Sequence, residues 1–335
     1  MNIFITGGAG YIGSHTVLEA LRRNHRVFVF DSLERGYREA LDRVQTLANR
    51  QIIFIQGDLR NREDIADALK DTKPEIVIHF AAYKSVSEGE KEPEKYYRSN
   101  VEATVILMEE MIKQNIRKII FSSSAATYGI LDRMPITEQS PTNPISVYGK
   151  TKLEMEKVIN SFTKDYGLEA VAFRYFNAVG ADESGEIGED PRHTTNLIPL
   201  VMHTLVGKRE KVYLFGDKFD TADGTQERDY IHVSDLATAH LDAAEKSFNR
   251  GEMMILNLST GQKTSCLEIF RLAQEISGKT LNYEVVGPRQ GDPVTLYADN
   301  SKAKYILGWK PRRDIKKSIQ DQWRWTSKYP NGYSY

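Results

Sequence analysis

The sequence predicts an α/β protein: a doubly wound parallel sheet followed by a smaller, mixed α/β carboxy-terminal domain. Three observations carry that reading. Short β-branched and aromatic runs alternate with amphipathic helical patterns through the first half. A G-x-x-G-x-x-G run joins the first strand to the first helix. After Phe176 the alternation loosens into a polar, glycine-rich stretch and then resumes in mixed order.

The expected strands are "NIFIT", "RVFVFDS", "QIIFIQGD", "EIVIHFA", "RKIIFSSS" and "LEAVAFRYF", apolar enough on both faces to be covered by helices. Helical patterns such as "SHTVLEALRRN", "REDIADALK" and "YYRSNVEATVILMEEMIKQN" separate them, which implies right-handed crossovers. "SVYGKTKLEMEKVINSFTKDYG" follows the turn-rich "SPTNPI", and its Leu153, Met155, Val158, Ile159 and Phe162 suit one apolar helix face. "NAVGADESGEIGEDPRHTTN" is long and polar, as a binding loop is. Helix "NLIPLVMHTLVG", strands "KVYLFG" and "DYIHV", helix "SDLATAHLDAAEKSF", strand "MMILNLS" and helix "SCLEIFRLAQEISG" follow. The expected division gives residues 1–176, rejoined by about 229–260, to a dinucleotide-binding domain, and 177–228 with 261–335 to a substrate domain.

The 335 residues include 45 basic and 46 acidic side chains, interspersed, for a net charge of -1. That balance leaves no electrostatic footprint for nucleic acid or an anionic membrane. The single cysteine, Cys266, cannot form an internal disulfide and reads as a helix-start or core residue. No apolar run approaches the ~18 residues of a spanning helix, and "MNIFIT" begins without a signal-peptide pattern. The expectation is a soluble cytoplasmic protein. His193 and His232 stand apart from other ligand types at metal spacing, so no metal site is expected.

In "FITGGAGYIGSH", Gly7, Gly10 and Gly13 run from strand into helix. Glycines there permit a tight turn, a pyrophosphate against the helix N-terminus, and close packing of helix on strand, as in a Rossmann domain. Asp31 ends the second strand, where a carboxylate accepts from an adenosine ribose and repels a 2′-phosphate, favouring NAD over NADP. Asp58 and Leu59 follow the third strand, and Phe80, Ala81, Ala82 and Lys84 the fourth, where a dinucleotide would pass.

Tyr148 and Lys152 lie four apart, one above the other on a helix. A free phenol, with a pKa of about 10, is a poor base near neutrality. An ammonium about 5 Å away would favour the phenolate by roughly 3 kcal/mol at an effective dielectric near 20, on the order of two pKa units. Tyr148 is thereby expected to take a hydroxyl proton while hydride leaves the same carbon. Ser124, at the end of the fifth strand in "SSSAATYG", lies where ligands sit in such sheets.

Together these features resemble the extended short-chain dehydrogenase/reductase superfamily and, within it, the UDP-glucose 4-epimerase family. The resemblance runs nearly end to end, through "TGGAGYIGSH", "HFAAYKSVSE", "FSSSAATYG", "YGKTK", "FRYFNAVGA", "GEDP", "NLIPLV", "DGTQERDYIHV", "GDP" and "WRWTSKYPNGY". It implies that NAD is retained while a UDP-hexose is oxidised at C4 and re-reduced from the other face. By motif it implies Tyr148, Lys152 and Ser124 as catalytic residues. Tyr11, Ile12, Asn100, Ser122 and Phe176 would join the cofactor set, and Asn177, Asn196, Leu197, Tyr213 and Phe215 would contact the sugar nucleotide. Arg228 and Arg289 would meet its pyrophosphate, and Asp292 its uridine ribose. The helices containing Val101–Met111 and Leu153–Phe162 resemble a homodimer interface.

Two departures stand out. Many epimerases place a threonine where this chain has Ala126; either Ser124 suffices here or Thr127, one residue further on, supplies the missing hydroxyl. Gln226 and Glu227 precede Arg228 where the family has small or apolar residues. Leu296 matches a position that sets sugar-pocket size, which implies acceptance of UDP-N-acetylglucosamine and its 4-epimer beside UDP-glucose and UDP-galactose. The rival readings are a sugar-nucleotide dehydratase, disfavoured by Ala125 and Ala126 where acid and base belong, a net dehydrogenase, or a dinucleotide-binding protein without turnover.

Overall fold

The computed structural model describes residues 1–289 and 291–334, with the His193 side chain outside the description. The first half alternates β1 (Asn2–Thr6), α1 (Tyr11–Arg22), β2 (Arg26–Asp31), α2 (Arg38–Ala48), β3 (Ile53–Gln56), α3 (Arg62–Thr72) and β4 (Ile76–His79). Two short helices, α4 (Val86–Lys91) and α5 (Pro93–Tyr96), lead into a π-helical turn over Tyr97–Glu102. Then come α6 (Ala103–Lys113), β5 (Lys118–Ser122), α7 (Val147–Tyr166), β6 (Glu169–Tyr175) and β7 (Asn177–Val179). The remainder comprises α8 (Leu197–Leu205), β8 (Val212–Phe215), β9 (Glu227–Arg228), β10 (Tyr230–His232), α9 (Val233–Glu245) and β11 (Glu252–Leu258). It ends with β12 (Thr264–Ser265), α10 (Cys266–Ser277), β13 (Tyr283–Val286), β14 (Thr295–Leu296), α11 (Ser301–Leu307) and α12 (Ile315–Lys328).

Seven parallel strands form the main sheet in the order β11-β6-β5-β4-β1-β2-β3. The order reverses at β1, and the crevice at the strand ends there is where ligands bind in such sheets. Alternation along each central strand divides the core. Ile3, Ile5, Val27 and Val29 pack on one face with Val17, Leu18 and Leu21 of α1, whereas Phe4, Phe28 and Phe30 pack on the other with Leu107, Met108 and Met155. Both faces are dry, which explains the unbroken apolar runs.

β11 lies far downstream of the other strands yet pairs with β6 from Glu252↔Glu169 to Leu258↔Tyr175. The carboxy-terminal elements are mixed: β9 runs antiparallel to β12 and parallel to β14. The single helix expected over "YYRSNVEATVILMEEMIKQN" is interrupted by the π-helical turn. Its Asn100 reaches out of the helix line, accepting from the Tyr83 amide at 2.8 Å and donating to the Tyr83 carbonyl and Thr151 Oγ1. Such turns accompany functional sites; here one ties the loop after β4 to α7. No helix among the described residues is long and apolar enough to cross a membrane.

Candidate active site

The glycine turn is sterically obligatory. Gly7 has φ +70°, and a Cβ on it would stand 2.7 Å from the Ala81 amide nitrogen. A Cβ on Gly13 would lie 2.1 Å from the Gly7 carbonyl oxygen, far inside van der Waals contact. Gly10 precedes α1 without a side-chain cap, leaving the leading amides of Tyr11, Ile12 and Gly13 for a ligand. Asp31, at the end of β2, accepts from Ala9 N–H at 3.0 Å and Leu33 N–H at 2.9 Å. Burial raises its carboxyl above the ordinary value, and those two amides oppose the shift.

This cradle opens into a cleft of about 850 Å³ lined by Gly7, Gly10, Asp31, Leu59, Ala82 and Lys152, among others. Tyr11, Ile12, Gly13, Asp58, Phe80, Ala81, Lys84 and Phe176 also line it. A dinucleotide fits the donor set: a glycine cradle no side chain could occupy, an uncapped helix start, and a buried carboxylate one strand over. Asn100 and Ser122 do not line the cleft. Asn100 braces the loop carrying Tyr83. Ser122 lies behind the site, its Oγ 3.0 Å from the Tyr175 hydroxyl and 3.3 Å from His240 Nε2.

α7 delivers the Tyr–Lys pair. Its start is fixed by Ser146, whose Oγ accepts from Gly149 N–H at 3.0 Å, and its end by Gly167 at φ +65°. Gly149 is required because a Cβ would meet the Ala126 carbonyl oxygen at 2.5 Å. Tyr148, Lys152, Ser124 and Tyr175 share the floor of the cleft. Lys152 Nζ donates to the Ser122 carbonyl at 2.8 Å and lies 5.0 Å from the Phe121 ring centre. Burial pulls its pKa down to about 7, opposed by Glu156 one helical turn on.

The phenol departs from the sequence expectation. Burial raises its pKa above the ordinary value, and the opposing influence is a hydrogen bond from Ser124 rather than the charge of Lys152. Ser124 Oγ also accepts from Ala126 N–H at 3.1 Å. Thr127 is fully buried and donates to the Ser124 carbonyl at 2.8 Å, so it shapes the serine's turn instead of reaching the cleft. Below lies a buried network: Arg174 donates twice to Glu156, at 2.9 and 2.6 Å, and Glu156 also accepts from Ser123.

A second cavity of about 250 Å³ adjoins the cleft, sharing Asn177, Asn196, Arg289 and Asp292 with it. Leu197, Tyr213, Phe215 and Arg228 complete the predicted set there. Arg289 lies flat over Phe215, 3.6 Å from the ring centre. Arg228 is steadied by the Glu227 and Val294 carbonyls. Glu227, the odd carboxylate in sequence, points off the opposite side of β9, accepting from Lys263 at 2.8 Å and Thr295 at 2.9 Å. Leu296 pairs in register with Arg228 but packs on the Ala125, Tyr128 and Phe176 cluster and lines neither cavity.

Several further cleft residues were not assigned site roles from the sequence. Tyr83 donates to Glu34, and Arg60 bridges Asp58 and Glu34, so three loops meet at the mouth. Arg35 pairs with Glu88 at 2.7 Å. Glu189 and Tyr333 line the cleft from "GEDP" and the closing aromatic segment; the quoted motifs were the only hint. Among the described residues no cluster of His, Cys, Asp or Glu could hold a metal ion.

A model of the NAD-dependent epimerase/dehydratase family matches residues 3–258. The chain belongs to this family. Within the family it is 43% identical over 335 residues to the UDP-glucose 4-epimerase of Bacillus subtilis, across 99% of each chain. The UDP-glucose 4-epimerase of Stenotrophomonas maltophila, solved with NAD and formylated UDP-arabinopyranose, superimposes with a TM-score of 0.94 at 36% identity, covering 98% of this chain and 99% of that one. The Bifidobacterium longum UDP-glucose 4-epimerase, solved with NAD+ and UDP, gives 0.94 at 37% identity over 99% and 100%. These matches span both halves of the chain.

Proposed function

We propose that the protein interconverts UDP-glucose and UDP-galactose by NAD-dependent epimerisation at C4, through a transient 4-keto sugar. One observation carries the reading: the glycine cradle, Tyr148, Ser124 and Arg289 line one cleft, and Asn177, Asn196, Arg289 and Asp292 are shared between that cleft and the adjoining cavity that holds Arg228. Relatives alike over essentially the whole chain support it. NAD, when bound, would supply reversible hydride chemistry at C4 and a positive charge favouring the phenolate. Gly7, Gly10, Gly13, Asp31 and Lys84 would hold it.

Tyr148 takes the proton of the sugar 4-hydroxyl and later gives it back, while Ser124 supports the phenolate and the 4-oxygen. Lys152, held by the Ser122 carbonyl, titrates near neutrality and keeps a donor at the cofactor ribose. Arg228 and Arg289 grip the pyrophosphate and Asp292 the uridine ribose, while Asn177 and Asn196 touch the sugar. Strong remote grip with a loosely held hexose lets the ketone turn over before reduction. The cofactor half comprises 1–176 with 229–260, and the remainder forms the substrate half.

A homodimer through α6 and α7 fits half-exposed apolar Val105, Ile106, Leu153 and Val158 on adjacent helices. A cytoplasmic location fits the lone, half-buried Cys266. The test is a coupled assay with UDP-galactose on wild type and Tyr148→Phe. Turnover should proceed without net NADH and fall by about 10²–10⁴-fold in the variant. Steady NADH release would instead indicate a dehydrogenase, and full activity in the variant would remove Tyr148 from the mechanism.

A further inference from the structure

The "GEDP" loop is clamped from behind by the carboxy-terminal aromatic segment. Trp325 of α12 lies against Gly188, where a Cβ would come within 2.4 Å of the indole, and its Nε1 donates to the Glu189 carbonyl at 2.9 Å. The Tyr333 hydroxyl accepts from Gly188 N–H at 3.0 Å, and its amide donates to Asp190 Oδ2 at 3.0 Å. This clamp presents the Glu189 side chain to the dinucleotide cleft. There Oε1 accepts from Lys84 Nζ at 2.7 Å, across from the loop after β4. Glu189 is 5% exposed, and its Oε2 is buried with no hydrogen-bond donor among the described residues. A buried carboxylate oxygen without a donor is costly unless a ligand supplies one.

We propose that Glu189 is a dinucleotide-binding and positioning residue: it aims the Lys84 ammonium along the cleft, and its second oxygen accepts a hydrogen bond from a ligand hydroxyl. The inference rests on the NAD reading above. It makes the last residues of the chain part of the cofactor grip, although they belong to the other half of the molecule.

The test uses the full chain, titrated with NAD and, separately, with UDP. In Glu189→Gln the NAD Kd should rise about tenfold while the UDP Kd stays within about twofold, because the lost interaction is charge-assisted and local. Lys84→Met should weaken NAD comparably, and the double variant should be no worse than the weaker single one, since the pair acts as a unit. Should Glu189→Gln fail to fold, Glu189→Asp carries the same expectation. An unchanged NAD Kd in the variant, equal loss of UDP binding, or multiplying effects in the double variant would each overturn the proposal. A wild type that binds UDP but no NAD would sink the cofactor reading itself, and the inference with it.

Discussion

Lys152→Met should make the nucleotide-free protein more stable while abolishing its activity. Lys152 is 4% exposed, and burial moves its pKa from 10.5 to about 7. Below both values that displacement corresponds to roughly 5 kcal/mol of destabilisation. The sign follows from proton counting. Between about 7 and 10.5 the unfolded chain binds more protons than the native one, so stability rises with pH across that window. The penalty is complete below the window and gone above it. Methionine removes it but strands the Ser122 carbonyl that Nζ now satisfies at 2.8 Å, a loss of about 1–3 kcal/mol. The net expectation is a gain of about 2–4 kcal/mol near pH 6, shrinking by about 3 kcal/mol towards pH 9. Urea unfolding followed by far-UV circular dichroism at both pH values measures it. A variant less stable than wild type near pH 6, or a difference that does not change with pH, refutes the reasoning.

Gly13→Ala should abolish NAD retention, since its Cβ would sit 2.1 Å from a backbone oxygen; Gly287→Ala, with nothing within 4 Å, is the matched control, and both are read by NAD released on denaturation. Asp31→Ala strands the amides of Ala9 and Leu33, at about 1–3 kcal/mol each. Its NAD affinity should fall and its preference over NADP narrow in parallel titrations; an unchanged preference would make Asp31 loop scaffolding alone. Leu296 packs in the cluster of Ala125, Tyr128 and Phe176 and lines neither cavity, so Leu296→Tyr should lower the unfolding midpoint and depress turnover of UDP-galactose with no selective effect on UDP-N-acetylglucosamine. A loss confined to the N-acetylated sugar would instead place Leu296 at the sugar.

Motifs whose chemistry is local were legible in the linear chain. The glycine spacing, the acid at the end of β2 and the i, i+4 Tyr–Lys pair each depend on a few neighbouring residues, and the structure gathers them into one cleft. Residues whose role depends on a distant partner were not. Glu227 looked like a misplaced charge beside Arg228 until β9 turned it towards Lys263 and Thr295. Thr127 looked like a substitute for a missing hydroxyl until its burial beneath Ser124 gave it a scaffolding task. Lys152 was expected to acidify Tyr148, yet burial acts on both groups more strongly than either acts on the other.

By itself, then, the sequence determined the parallel α/β architecture and the glycine turn that opens it, and singled out Tyr148 and Lys152 as the proposed reacting pair, because periodicity and turn chemistry are short-range. Only the tertiary structure decided that a late strand, β11, completes the sheet beside β6, that the cleft and the arginine cavity share Asn177, Asn196, Arg289 and Asp292, and that the closing aromatic segment presents Glu189 to Lys84. Those outcomes rest on desolvation and on contacts between residues far apart along the chain, neither of which a linear pattern encodes.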